Sequence, residues 1–535
     1  MLNRKNIFWI TGVAAVSVRV VFYALFAGTM FHHYHKVSGL DMQTLLRFSE
    51  WGTNEIPPFF TLHRVLLYLI WRFNDFKHNV DLVFLVQSLT AIAAAVALSD
   101  LVLMLTGRRK AALASGVIYA LYLPFLIYEF SILQETLNVN IQLFAIWALF
   151  RARKKRFSIG SSITAGIFWG LALTGRPVSL ILAIGAAVWM FVYTRKKNML
   201  KKSLPVMLSS LLVVLAAASF NLEFNGRFSP FYNVLPYTLQ YNTGVSPDGS
   251  KAEKNSAMLT TAKNMLFRTP QLFSIREIPE NQNLYFWREK LPESRLLPGP
   301  ELLLFITIFS ILTIILSSRW KYKEGLLLWV PLLLGPPLCG REAIGRYRLM
   351  LCPVFIALAM IGFTCIKRIS PKLKRRIIFF TALSVTIAAV VYDSTLNRGL
   401  RSSDFHAWAA ATEAVYGIED TRTLDAYYDC WQRTGFSNDL AFRSIAGAAL
   451  RSKRYDVAQK VINQARITGN VNTSQIAYFE GLIYVDLQDP EKVLRAFAPI
   501  VAEDLPPDLQ NFYFRVKTDA ERFLKNRRRM LNKTP

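Results

Sequence analysis

Apolar runs of about 18 to 25 residues recur along this chain, and a helix of that length is what the hydrocarbon core of a bilayer requires. They lie near 7–30, 81–106, 111–130, 132–150, 159–175, 177–193, 203–222, 299–317, 325–340, 348–366 and 376–393. With no water in the bilayer core, each segment must satisfy its own backbone hydrogen bonds, so the runs are expected to be helices. The fold class that follows is all-α: a polytopic transmembrane bundle of about eleven spans over residues 1–394, with a soluble helical domain over 395–535.

The net charge of +27 would suggest nucleic acid in a soluble protein. Here the basic residues sit in short loops between apolar runs: Arg4-Lys5, Arg108 to Lys110, Arg151 to Arg156, Arg195 to Lys202, Arg319 to Lys323 and Lys367 to Arg376. All six fall on one side of the membrane under the eleven-span count. The positive-inside rule then puts the N-terminus inside and the C-terminal domain outside. The charge encodes orientation, and no nucleic-acid partner is expected. The first run lacks an A-x-A site and reads as a retained signal-anchor. The segment Phe59 to Phe73, apolar but short and carrying His63 and Arg64, reads as interfacial or re-entrant, since counting it as a span would move every later basic loop outside. Four cysteines without a C-x-x-C pair argue against a disulfide framework. The expected location is a bacterial inner (plasma) membrane, with the C-terminal domain periplasmic.

Two outer loops are long, at about 31–80 and 223–297. In the first, Leu45, Phe48 and Trp51 fall three apart, which predicts an amphipathic surface helix with Asp41 at its N-terminal end. His32, His33 and His35 precede it without a Cys or H-E-x-x-H partner, so head-group or water contacts are expected there rather than zinc. The second loop, rich in Asn, Gly, Pro and Tyr, reads as a lid or wall above the membrane, or as a plain connector. Pro331, Pro336 and Pro337 must kink the ninth span near its outer end. The next residues, GREAIGRYRLMLCP, carry Arg341, Glu342, Arg346 and Arg348, whose guanidinium forks suit a phosphate.

Arg19 lies inside the first run and needs a buried partner. Arg176 lies in GLALTGRP at the outer end of the fifth, and Glu129 and Glu135 flank the turn between the third and fourth. One outer constellation results: Asp41, Glu129 and Glu135 with Arg176, Arg341, Arg346 and Arg348. Charges gathered at one surface fit chemistry at the outer leaflet better than a transport path at the mid-plane. In the C-terminal domain, Gly447 and Gly481 repeat at the tetratricopeptide spacing of about 34 residues, which predicts a stack of helical hairpins with a small residue at each close approach.

Several of these features taken in order resemble the GT-C superfamily of membrane glycosyltransferases, of the protein-mannosyl and aminoarabinose transferase type, from about residue 7 to 366. The carriers are Asp41 in the first outer loop, Pro57-Pro58 before an interfacial helix, Glu135 opening the fourth span, GLALTGRP, RYRLMLCP, the Gly-Arg-Phe and Tyr-Asn-Thr-Gly turns of the long loop, and the trailing repeat domain. The resemblance implies a polyprenyl-phosphate-sugar donor, an acceptor that is a lipid, glycan or protein, Asp41 as catalytic base or as contact to a divalent cation, and Glu135 as a second catalytic carboxylate. Glu129, Arg176, Arg341, Arg346 and Arg348 would bind substrate, and the repeat domain would offer a protein partner a docking face. Many members pair acidic residues or have Asp-x-Tyr in the first loop, whereas Asp41 here precedes Met42 and Gln43. Two other readings fit the same residues: a lipid-linked glycan ligase or polymerase working from arginine and histidine, and a non-enzymatic scaffold whose repeats recruit an envelope partner.

Overall fold

A computed structural model describes residues 3–37, 40–49, 61–73, 79–175, 179–193, 199–226, 228–230, 282–299, 349–366, 370–373, 375–376, 378–379, 383, 401–433 and 439–531. The runs near 299–317 and 325–340, most of 376–393, Arg176, Arg341, Arg346, Arg348, Trp51 and Pro57-Pro58 lie outside them. Among the described residues every regular element is helical. The chain divides into two compact units: Met1–Thr29 with Gly39–Gly399, and Met30–Ser38 with Leu400–Pro535.

The first unit opens with α1 (Arg4–Ala27), whose first turn is capped by the Asn3 side chain accepting from the Asn6 amide at 2.8 Å. Then come α2 (Asp41–Ser49), α3 (Thr61–Phe73), α4 (Val80–Thr106), α5 (Arg109–Leu121), α6 (Leu123–Glu129), α7 (Glu135–Lys154), α8 (Ile159–Gly175), α9 (Ser179–Tyr193), α10 (Met199–Asn225), α11 (Leu284–Lys290) and α12 (Cys352–Ile366). Among the described residues α1, α4 and the Ser203–Glu223 part of α10 are long and apolar enough to cross a membrane, and α5 with α6 makes a fourth candidate. The chain is a membrane protein.

The run near 111–130 is not one straight span. The helix axis turns by 49° between α5 and α6, and Pro124 sits in the first turn of α6. Proline is tolerated there because the first turn has no helical N–H partners, whereas in a continuous helix Pro124 would leave the Ala120 carbonyl without its N–H; the chain breaks at Tyr122, whose backbone is extended, and restarts. The first-loop helix, α2, begins at Asp41, buries Met42 and Leu46 one turn apart, leaves Leu45 half-buried and packs on α3. Trp51 and the side chain of Phe48, the other two members of the Leu45–Phe48–Trp51 spacing, lie outside the described residues.

Helix packing centres on α4, α7 and α8. Helix α4 packs on α1, α5, α7 and α12, and α8 lies between α7 and α10. Gly166 and Gly170 face α10, and a Cβ on either would overlap Ser209, Val206 or Val213. That G-x-x-x-G stripe brings the two backbones together, as small residues do where helices associate in a bilayer. At the α1 end, Arg4 pairs with Asp100 at 2.7 Å, and the Trp147 indole donates to the same carboxylate at 3.1 Å.

The second unit comprises a 3-10 helix, Met30–Lys36, and the helices α13 (Ser402–Tyr416), α14 (Thr421–Arg433), α15 (Asp439–Arg451), α16 (Tyr455–Thr468), α17 (Thr473–Asp486), α18 (Pro490–Phe497) and α19 (Pro507–Leu531). Each helix packs on the next. The 3-10 segment packs on α13, burying Phe31 and Tyr34, with the Phe31 ring edge-on to Trp408 at 5.1 Å. Part of the first long loop is therefore a structural piece of this unit. The two repeat glycines differ. A Cβ on Gly481 would collide with the Phe497 ring, whereas at Gly447 it would meet only ordinary contacts with Arg451 and Phe479. The close approach expected at both positions occurs at Gly481 alone.

Candidate active site

The turn between α6 and α7 carries Glu129 and Glu135 and is fastened from three sides. Arg19, reaching from α1, places a guanidinium nitrogen 2.8 Å from Glu129 Oε2 and donates to the Ala15 carbonyl at 3.1 Å. Both side chains are buried, so the intramembrane arginine has the partner its cost demands. Gln87 of α4 donates to the Ser131 carbonyl at 3.0 Å. Gln282 donates to the Ser131 hydroxyl at 3.0 Å and accepts from the Trp287 indole at 2.7 Å. The Trp287 ring in turn stacks on Phe26, with centroids 5.7 Å apart.

Helix α7 continues from this turn with an unusual face. In ETLNVNIQ, Glu135, Thr136, Asn138, Asn140 and Gln142 are all buried, as is Gln134 before them. Residues two apart on a helix point to nearly opposite sides, so this half of α7 is polar around much of its circumference. Asn140 is engaged on both amide atoms, accepting from the Tyr119 hydroxyl and donating to Thr90 at 3.2 Å. Gln142 donates to Ser179 at 2.8 Å and lies 3.7 Å from the Met350 sulfur. The carbonyl oxygens of Gln134 and Gln142, the Thr136 hydroxyl and both amide atoms of Asn138 are buried and have no hydrogen-bond partner among the described residues. Buried polar atoms are seldom left unmade, because each costs about 1–3 kcal/mol, so such a cluster points to something polar that fits against it.

The neighbours of this face carry the arginine motifs. Gly175, immediately before Arg176, abuts Asn138 so closely that a Cβ would overlap the amide oxygen. Ser179, which receives Gln142, lies two residues past the end of that motif, and Met350 lies just past Arg348. Leu62 of α3 also faces Gly175, and its neighbour His63 is buried with neither ring nitrogen paired among the described residues. Burial pushes His63 down to about 4, so its ring is neutral near pH 7. Asp41 opens α2, which packs on α3, and α3 packs on α8. Arg176, Arg341, Arg346 and Arg348 themselves lie outside the described residues.

Among the described residues, no three His, Cys, Asp or Glu side chains come together as metal ligands. The three histidines of the 3-10 helix are near neighbours, with the His32 and His33 rings 4.9 Å apart, but His35 spends its Nδ1 on the His32 carbonyl at 3.0 Å. Asn138, Gln142, Gln87 and His63 were not singled out by sequence as site residues. The signal for the first two was present: amides inside a run long enough to span a membrane.

Residues 64–222, from α3 to α10, match the model of the dolichyl-phosphate-mannose-protein mannosyltransferase family. Among solved structures, the chain is similar to the oligosaccharyltransferase of Archaeoglobus fulgidus in complex with zinc and sulfate, at 15% identity and TM-score 0.42, covering 79% of this chain and 56% of that one. It is also similar to the apo form, at 14% identity and TM-score 0.43. For the archaeal oligosaccharyltransferase AglB from the same organism, in complex with an inhibitory peptide and a dolichol-phosphate, the values are 13% and 0.40. This chain spans 56% to 59% of the length of those proteins. No curated protein sequence matches it. Over residues 64–222, then, this chain is similar to the membrane mannosyltransferases of the GT-C superfamily, the group its motifs resemble.

Proposed function

We propose that this protein transfers a sugar from a polyprenyl-phosphate carrier to an acceptor hydroxyl or amide at the outer face of the membrane. One observation carries the reading: the described flanks of both arginine motifs, Gly175 and Ser179 on one and Met350 on the other, meet the buried polar half of α7 that begins with Glu135. A sugar offers many hydroxyls to unpaired amides, and a phosphate next to it needs cations. That Gly175 and Met350, chain neighbours of Arg176 and Arg348, meet this face supports a site offering both.

In the reaction, the acceptor oxygen or nitrogen bonds to the anomeric carbon, the bond from that carbon to the phosphate oxygen breaks, and polyprenyl phosphate leaves. Asp41 takes the acceptor proton as general base. Arg176, Arg341, Arg346 and Arg348 stabilise the charge that collects on the leaving phosphate. Glu135 orients the sugar through its hydroxyls. Glu129, proposed from the sequence to bind substrate, is held by Arg19 and acts through the turn on which Glu135 rides. The divalent cation implied by the resemblance would rest on Asp41.

Eleven spans would place the N-terminus inside and the repeat-like second unit in the periplasm of a bacterial inner membrane. There the second unit is free to meet a protein partner. Purification of the full chain in mild detergent, followed by mass spectrometry of its bound lipids, tests the reading. A co-purified polyprenyl phosphate, with or without a sugar, supports it. Only bulk phospholipid in several detergents would remove the donor from the account.

A further inference from the structure

Helix α19 ends in a surface that nothing in the proposed transfer reaction uses. It packs on α18 through Tyr513, whose ring lies 5.2 Å from that of Phe497, and through Ala520. Past Ala520, every side chain from Glu521 to Met530 except half-buried Leu524 is exposed. This stretch carries Arg522, Lys525, Arg527, Arg528 and Arg529, and between Arg522 and Leu531 there is no acidic residue. Among these cations the structure pairs Arg522 with Asp519 at 3.9 Å, an exposed contact one turn back.

The same helix exposes large apolar groups in register. Phe512 and Phe523 are 44% and 58% exposed, and they stand three turns apart on one side of the helix, with Met530 two turns further on. Phe514, 52% exposed, lies on the other side of the helix, and the line that runs into the basic end is Phe512, Phe523 and Met530. Exposed Phe on one line, flanked by Arg and Lys, is the composition of helices that lie in a lipid interface.

We propose that the C-terminal half of α19 docks on the surface of an anionic bilayer, with Phe523 entering the head-group region, Arg522 and Arg527 beside it meeting lipid phosphates, and Lys525, Arg528 and Arg529 adding to the positive field at that surface. Charge complementarity selects the occupant: a cluster of cations without acids fits an anionic lipid surface, and apolar groups at the same place fit its acyl boundary. The chain carries its own membrane-spanning helices, so it resides at a bilayer. The contact is independent of the transfer reaction.

The test is amide hydrogen exchange on the full chain in nanodiscs, comparing pure phosphatidylcholine with a mixture containing phosphatidylglycerol. Each basic residue near an anionic surface strengthens binding roughly fivefold. Amides of residues 521–531 should therefore exchange more slowly in the anionic discs and lose that protection in high salt. The combined Arg527→Gln, Arg528→Gln and Arg529→Gln variant should weaken docking roughly 100-fold. Phe523→Ser should weaken it as well, and both variants should keep the parental melting temperature, since the altered side chains are exposed. Equal exchange in the two lipid compositions would overturn the proposal. So would protection that survives the triple substitution, which would mean that protein rather than lipid covers the helix.

Discussion

Arg19 and Glu129 form a buried ion pair, 2.8 Å apart, between the first membrane helix and the end of the short helix α6. Removing one partner strands a charge in the bundle interior. Arg19→Met should therefore destabilise the protein by about 3–5 kcal/mol, while the double variant with Glu129→Leu should recover most of that loss. Thermal unfolding of the single and double variants in one detergent checks this. Equal melting temperatures for Arg19→Met and the parent would mean that the pair has no structural role.

Asn138 offers a separation of stability from activity. Its two amide atoms are buried without a partner among the described residues, which costs the empty protein about 1–3 kcal/mol. Asn138→Leu should leave the melting temperature unchanged or raise it. If the amide meets a sugar, kcat/KM should fall about tenfold or more, the loss expected for a hydrogen bond made to substrate. A variant both more stable and fully active would make Asn138 a structural defect rather than a binding group.

The two repeat glycines should behave oppositely. Gly481→Ala drives a methyl group into the Phe497 ring and should cost about 1–3 kcal/mol. Gly447→Ala meets no such obstacle and should gain up to about 1 kcal/mol from helix propensity. Chemical denaturation followed through the second unit distinguishes them, and equal effects would contradict the packing described for Gly481.

His35 sets a pH dependence in the second unit. Burial pushes it down to about 4, against the pull of its bond to the His32 carbonyl. The unfolded chain binds this proton first, so the stabilisation is complete above about pH 6.5 and is lost as pH falls toward 4. The melting temperature should decline over that window, and His35→Gln should flatten the decline. An unchanged slope in the variant would mean that another group titrates there.

Membrane helices were legible because burial in lipid demands length and apolarity, and both can be counted. Helices occupy the runs near 7–30, 81–106, 132–150, 159–175, 177–193, 203–222 and 348–366. The break at Tyr122 was written as Leu-Pro inside a run whose composition alone reads as continuous. The partner of Arg19 could not be read locally, since Glu129 is distant in sequence and only helix packing joins them. In α2, Met42 and Leu46 are buried although the three-residue spacing points to Leu45, since a short helix has several apolar stripes. Asp41 and Glu135 were legible as carboxylates at helix starts, yet the polar half of α7 that surrounds the site was hidden inside what counted as a span.

The transfer reaction stands or falls on Asp41. Asp41 stands in the first turn of α2, and Asn keeps its shape and polarity there, so Asp41→Asn should fold with a near-parental melting temperature while losing the proton acceptor. The direct measurement is sugar transfer from a polyprenyl-phosphate-linked donor by the purified, reconstituted full chain and by this variant. General-base loss predicts a rate lower by about 10²–10⁴-fold in the variant, with stability unchanged. Parental turnover by a well-folded Asp41→Asn protein would contradict the account and favour a ligase that works from arginine and histidine.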